Sequence, residues 1–307
     1  MSQKLIPSRE LWKIQSGTLT MFIAECIGTG ILIFIGCMGC IGTMTLSPPP
    51  PLQTALTFGL TVNLIIMMLG HVSGAHLNPA VTIGSVIMGL KSIPTAFIYC
   101  VAQVIGATIG YFLLMTVTPG NLFNDGFSNS TLGLCVTEVH PSISLAQAFI
   151  IETLCTAFIL LGACATWDRR CAHTTDSTAL RFGFSVAAIS FAAGPYTGCS
   201  MNPARSFGPA LWNGAWKNQW LYWLGPTAGG FLGSYTYRYL LLEKESNKKN
   251  LNCSMKGLKT LKSAETTQNG EFEAIANHMN NTNKDKMDQP DGSLKEVLLP
   301  DRSLVLC

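Results

Sequence analysis

The chain has 307 residues, of which 48% are hydrophobic and only 12% charged, and its mean hydropathy is +0.32. Soluble domains carry about 25% charged residues, so the composition excludes an ordinary soluble globular protein and points to an integral membrane domain. The formal charge is +3, and twenty basic residues spread over loops and a tail do not resemble a nucleic-acid-binding face.

Residues 1–17, MSQKLIPSRELWKIQSG, carry no cleavable signal pattern and lead straight into the first apolar run. Six segments approach the roughly 20 apolar residues that a span needs. They are Thr18–Met38, Leu52–Leu69, Pro94–Val117, Leu145–Thr166, Ala179–Ala193 with its flanks, and Trp220–Leu242. Two more apolar pieces, Pro79–Leu90 and Pro203–Trp212, are too short to cross and follow glycine-rich approaches, which suits re-entrant half-helices. Residues 243–307 are rich in Lys, Asn, Ser and Asp and read as a disordered cytoplasmic tail. The expected organisation is a cytoplasmic N-terminus (1–17), one membrane domain (18–242) and that tail (243–307).

Loop charge orients the spans. Lys4, Arg9 and Lys13 precede the first span, and Arg169, Arg170 and Arg181 lie between the fourth and fifth. Lys244, Lys248 and Lys249 follow the sixth, and Lys91 closes the first short helix. The loops 39–53 and 118–144 hold no Lys or Arg, so the positive-inside rule places both termini in the cytoplasm. The sequon at Asn129 falls in an outside loop, where glycosylation is possible. Pro48–Pro51 reads as a stiff outside connector. The eleven cysteines are scattered, mostly within apolar runs, and are expected to act as packing filler. Cys37 and Cys40 have CxxC spacing without the context of a redox or zinc site, and no metal site or cofactor is expected.

The two halves repeat one another. Phe58-Gly59-Leu60-Thr61-Val62 stands twenty residues before Asn78-Pro79-Ala80, and Phe182-Gly183-Phe184-Ser185-Val186 stands twenty before Asn202-Pro203-Ala204. Ser73-Gly74 matches Thr197-Gly198, Glu25 with Thr29 matches Glu152 with Thr156, and Gly106 is set against Gly230. The repeats cover about 18–117 and 145–242. Each contains three spans, an odd number, so the two lie in opposite senses, with a functional site expected near the midplane.

A Pro in the first helical turn and an Asn before it make a helix start. Asn78 and Asn202 therefore read as caps of two half-helices that enter from opposite faces and meet at their positive ends. Such a constriction repels cations while the Asn amides donate to a passing oxygen. Arg205 follows within the first turn of the second half-helix and is expected to line a water-filled path, because a charge at that depth is otherwise costly. Glu25 and Glu152 are expected to accept backbone N–H groups of the re-entrant loops. His71 and His76 read as pore or loop lining rather than metal ligands.

The sequences SGAHLNPAVT and TGCSMNPARSFGPAL, in this frame of spans and repeats, resemble the aquaporin family of water and small-solute channels over residues 18–242. The resemblance implies an all-α integral membrane fold with six transmembrane helices and two re-entrant half-helices in an inverted repeat. It also implies a homotetramer with one pore per protomer, embedded in cell-membrane lipid. The family's outer filter maps onto Phe58, Ser190, Cys199 and Arg205. Water-selective members carry histidine where this chain has Ser190, and a hydroxymethyl group there widens the ring. The filter is similar to that of the insect entomoglyceroporins, which implies passage of glycerol and urea as well as water. Ser206 after the arginine and Tyr222-Trp223 in the last span follow the water-channel pattern instead. The Cys199 thiol is expected to be reachable from outside, so that a mercurial blocks flow.

The expected function is a passive channel for small neutral solutes that excludes ions and protons, with a water-selective channel as the alternative. A coupled transporter would need an ion site where the lumen offers an arginine, and a closed junctional protein would form tetramers without conductance. No nucleophile–base pair, metal cluster or phosphate loop suggests an enzyme. Asp168, Arg169 and Arg170 either pair with the tail or merely fix topology, and Ser246, Thr260 and Ser263 are candidate phosphorylation positions.

Overall fold

The computed structural model describes residue 7 and residues 10–42, 49–120, 132–174 and 176–242. The chain divides after Leu242 into two units, and the described residues all lie in the first. The expected tail, its candidate phosphorylation positions and Asn129 lie outside the described residues.

Eight α-helices occur among the described residues: α1 (Thr18–Met38), α2 (Pro51–Leu69), α3 (Pro79–Ile87), α4 (Ile93–Val117), α5 (Leu145–Trp167), α6 (Thr178–Thr197), α7 (Pro203–Asn213) and α8 (Gln219–Thr236). Local chemistry explains their starts. Pro51, Pro79 and Pro203 sit in first turns, where a missing N–H costs nothing. Ser92 caps α4 by accepting from Thr95 N, and Ser144 forms a reciprocal capping box with Gln147 on α5.

The ends differ from the sequence expectation by more than one residue in three places. Helix α3 stops at Ile87 rather than Leu90, because Gly89 turns left-handed at φ +76°. Helix α6 runs past Ala193 and through Pro195 to Thr197, and Gly198 at φ +74° closes it. Pro195 is tolerated because it lies in the final turn, where only one amide bond is lost. Helix α8 ends at Thr236 and continues as a π-helical turn, Tyr237–Leu241.

Helices α1, α2, α4 and α5 are long and apolar enough to cross a membrane. Helices α6 and α8 have 20 and 18 residues, roughly 27–30 Å, but carry more Gly, Ser, Thr and Pro. Leu19, Met67, Phe97, Phe158, Leu224 and Phe231 all face outward. Such an apolar exterior is unfavourable in water and suited to lipid. The chain is a multi-pass membrane protein.

Packing repeats across the halves. Helix α1 packs on α4 as α5 packs on α8, and α2 pairs with α6. Each half-helix also crosses to the other repeat, α3 against α8 and α7 against α4. Small residues permit the close approach. A Cβ on Gly106 would meet Cys26 O at 2.1 Å, and one on Gly229 would meet Thr153 O at 2.2 Å. Gly110 against Gly30 and Gly233 against Ala157 repeat the contact one turn on. The spatial counterpart of Gly106 is therefore Gly229, not Gly230: the interval from half-helix to last span is one residue shorter in the second repeat. Gly230 instead admits α3, at Ala80 O.

The cysteines require a second correction. Cys37, in the last turn of α1, is disulfide-bonded to Cys135, 98 residues away, and so is not filler. Cys26, Cys40, Cys100, Cys155, Cys164, Cys171 and Cys199 are free thiols.

Candidate functional site

The loops that lead into α3 and α7 are built alike. Ala75 and Leu77 in one, and Cys199 and Met201 in the other, adopt left-handed φ values between 45° and 57° without being glycine. Such conformers cost on the order of 1–3 kcal/mol each and persist only where surrounding bonds hold them. Here a buried carboxylate does so in each repeat. Glu25 Oε1 accepts from Ser73 Oγ (2.6 Å) and His76 N (2.9 Å), while Oε2 accepts from Leu77 N (2.7 Å) and Gln103 Nε2 (2.8 Å). Glu152 Oε1 accepts from Thr197 Oγ1 (2.6 Å) and Ser200 N (2.8 Å), and Oε2 accepts from Met201 N (2.8 Å).

The loop twist aims carbonyls across the midline. Asn78 Nδ2 donates to Met201 O (2.7 Å), and Asn202 Nδ2 donates to Leu77 O (2.8 Å). Each Asn also caps its own helix: Asn78 Oδ1 accepts from Ala80 N, and Asn202 Oδ1 accepts from Ala204 N and Arg205 N. One hydrogen of each amide is thus committed to the partner loop, and the other meets no acceptor among the described residues. Pro79, Ala80, Pro203 and Ala204 are buried in the first turns behind these caps. The positive ends of α3 and α7 converge here.

A cavity of about 540 Å³ opens on this point. Phe58, Ser190, Cys199 and Arg205 all line it, together with Asn78 and Asn202. The Arg205 guanidinium lies 4.8 Å from the centre of the Phe58 ring and donates through Nη1 to Cys135 O at 2.8 Å. Ser190 is half-buried, and among the described residues no hydrogen bond engages its hydroxyl. Cys199 lines the cavity, but its thiol leans back on Ile189 O (3.7 Å) and is mostly covered. His76 also lines the cavity and bonds through Nδ1 to Thr82 Oγ1, whereas His71 is exposed. Val62, Ile159 and Val186 supply an apolar wall.

Sequence reasoning missed several supports. Tyr99 Oη donates to Ser73 O (2.8 Å), and its counterpart Tyr222 donates to Thr197 O (2.9 Å). Both stand at matching places in the last span of their repeat, which was the available signal. Lys91, counted above as a topology charge, is buried and donates to Tyr99 Oη (2.7 Å). Asp168 pairs with Arg170 at 2.6 Å and accepts from Tyr237 Oη, while Arg170 reaches Leu241 O (2.8 Å). This cluster ties the end of α5 to the π turn after α8.

Comparison with known proteins decides the family. The major intrinsic protein profile matches residues 12–237. The chain belongs to the major intrinsic protein (aquaporin) family. Aquaporin-2 of Rattus norvegicus is 35% identical over 249 residues, covering 81% of this chain and 89% of the relative. The human lens fiber major intrinsic protein is 37% identical over 238 residues, covering 76% and 86%. A solved structure, the aquaglyceroporin from Plasmodium falciparum, superposes with a TM-score of 0.65 at 26% identity, covering 73% of this chain and 97% of that one. This aquaporin is a passive channel for water and small solutes, and not an enzyme.

Proposed function

We propose that this aquaporin passes glycerol and urea as well as water, with Phe58, Ser190, Cys199 and Arg205 as its selectivity filter. The observation that carries the reading is Ser190: a half-buried hydroxyl, bonded to no described residue, on the same cavity as Arg205 and an apolar wall. A triol needs donors for its hydroxyls, apolar surface for its carbon edge, and width. Arg205 supplies donors, Phe58 and Val186 supply the apolar edge, and a hydroxymethyl group leaves more room than an imidazole. The likeness to a solved aquaglyceroporin is in keeping with this. Cations are refused because the half-helix ends and Arg205 repel them.

Both termini are placed in the cytoplasm. The loop charges support this orientation, as does the disulfide, since disulfides form on the oxidising outer side and Cys37 ends α1 at the face opposite the N-terminus. Asn129 would then be outside and open to glycosylation. Four copies assemble in the membrane, each with its own pore.

Stopped-flow volume changes in proteoliposomes test the proposal. Water, glycerol and urea fluxes should each rise linearly with gradient and ignore sodium and proton gradients. Passage of water alone would leave a water-selective channel, and dependence on an ion gradient would leave a coupled transporter.

A further inference from the structure

We propose that the Cys37–Cys135 disulfide is a positioning element for Arg205, holding the carbonyl that seats the guanidinium and so sharpening the solute cut-off. The inference rests on Arg205 belonging to the selectivity filter. Among the described residues, the Arg205 side chain has one hydrogen bond, from Nη1 to Cys135 O at 2.8 Å, and no carboxylate partner. Its other contact is the Phe58 face at 4.8 Å. The seat of the charge therefore depends on where one backbone carbonyl points.

That carbonyl belongs to a residue in an unfavourable conformation. Cys135 is left-handed at φ +63° without being glycine. Its neighbours are held by hydrogen bonds: Leu134 O accepts from Tyr111 Oη (2.7 Å), Val136 N donates to Gly133 O (3.3 Å), and Thr137 Oγ1 donates to Ser206 Oγ (2.8 Å). Cys135 itself is fixed by a covalent bond to the fully buried Cys37 on α1. Residues 135–141 also supply part of the cavity wall, through Cys135, Val136, Glu138 and Pro141. Without the bond, this segment gains freedom to relax from the strained conformer, and the carbonyl leaves its fixed distance from the guanidinium. Arg205 then samples several positions, and the ring no longer presents one width.

The test compares native protein with Cys37→Ser, Cys135→Ser and the double variant in proteoliposomes, using water, urea, glycerol and erythritol. Serine retains the Cys135 carbonyl and nearly the side-chain volume, so only the bond is removed. Each single variant should raise the permeability of the largest solutes relative to water at least about threefold, beyond the roughly twofold scatter of independent sites, and the double variant should match the singles. A uniform fall for all solutes, an unchanged profile, or additive effects would show a purely structural bond and overturn the proposal. Detection of free Cys37 and Cys135 in the purified native protein would also overturn it.

A second arm reads the native channel itself. A dithiol applied to the assembled native channel is oxidised to its own disulfide as Cys37 and Cys135 each gain a hydrogen. Once mass mapping confirms reduction, the same shift in ratios should appear, and it should be absent in Cys135→Ser. Reduced protein with an unshifted profile would refute the idea. If native protein rejects glycerol, the solute range proposed above fails, while the change in cut-off between forms still decides the role of the disulfide.

Discussion

Replacing Glu152 probes how the second loop is held. Its carboxylate is 1% exposed and accepts three hydrogen bonds of 2.6–2.8 Å from Thr197 Oγ1, Ser200 N and Met201 N. Glu152→Ala leaves three buried donors without an acceptor. At about 1–3 kcal/mol for each stranded group, the total is about 3–9 kcal/mol before any cavity contribution. Glu152→Gln preserves volume and one acceptor oxygen. An amide with its oxygen toward Thr197 and Ser200 turns its NH2 toward Met201 N–H, so one donor is stranded and the cost is about 1–3 kcal/mol. Reversible unfolding in mixed micelles measures both. The alanine form should be the less stable by several kcal/mol, with water permeability falling further than in the glutamine form. Equal costs, or an alanine cost below about 1 kcal/mol, would mean that water replaces the carboxylate and that the loop needs no buried acceptor.

Two other perturbations address packing and the end of α5. Gly106→Ala puts a methyl group 2.1 Å from Cys26 O, so α1 and α4 must separate. Unfolding should become easier by about 1–3 kcal/mol, and Gly229→Ala should match it if the repeat is spatial rather than formal. At Asp168, the Arg170 guanidinium holds the carboxyl below its ordinary value of 3.8. Because the native value is depressed, its contribution is full above 3.8 and is lost as pH falls through the native value. Thermal midpoints of native protein should therefore drop in that acid range by an increment that Asp168→Asn lacks. Parallel pH curves for the two would contradict the pairing.

Much of this architecture is legible in the sequence because its signals are local. An apolar run of sufficient length states a span, and Asn-Pro states a capped helix start. The spacing from Phe58 to Asn78, repeated from Phe182 to Asn202, reveals the duplication. Residues that meet across the fold leave no such mark. Cys37 finds Cys135 over 98 residues, and nothing in eleven scattered cysteines specifies that pair. The glycine register slipped by one because sequence alignment counts residues, whereas packing depends on which carbonyl each glycine admits. Lys91 read as a surface charge because its partner, Tyr99, lies across a helix start. Of the cavity-lining residues, Phe58, Ser190, Cys199 and Arg205 were accessible through resemblance, but the carbonyl that holds Arg205 was not, since a backbone acceptor has no sequence signature.

The central claim is that Ser190 sets the width of the filter. The most direct measurement compares native protein with Ser190→His by stopped-flow volume change under water, glycerol and urea gradients. The account predicts that native vesicles pass all three solutes and that the histidine form keeps water while losing glycerol and urea. Native vesicles that pass only water, or a histidine form that conducts glycerol as well as the native protein does, would contradict it.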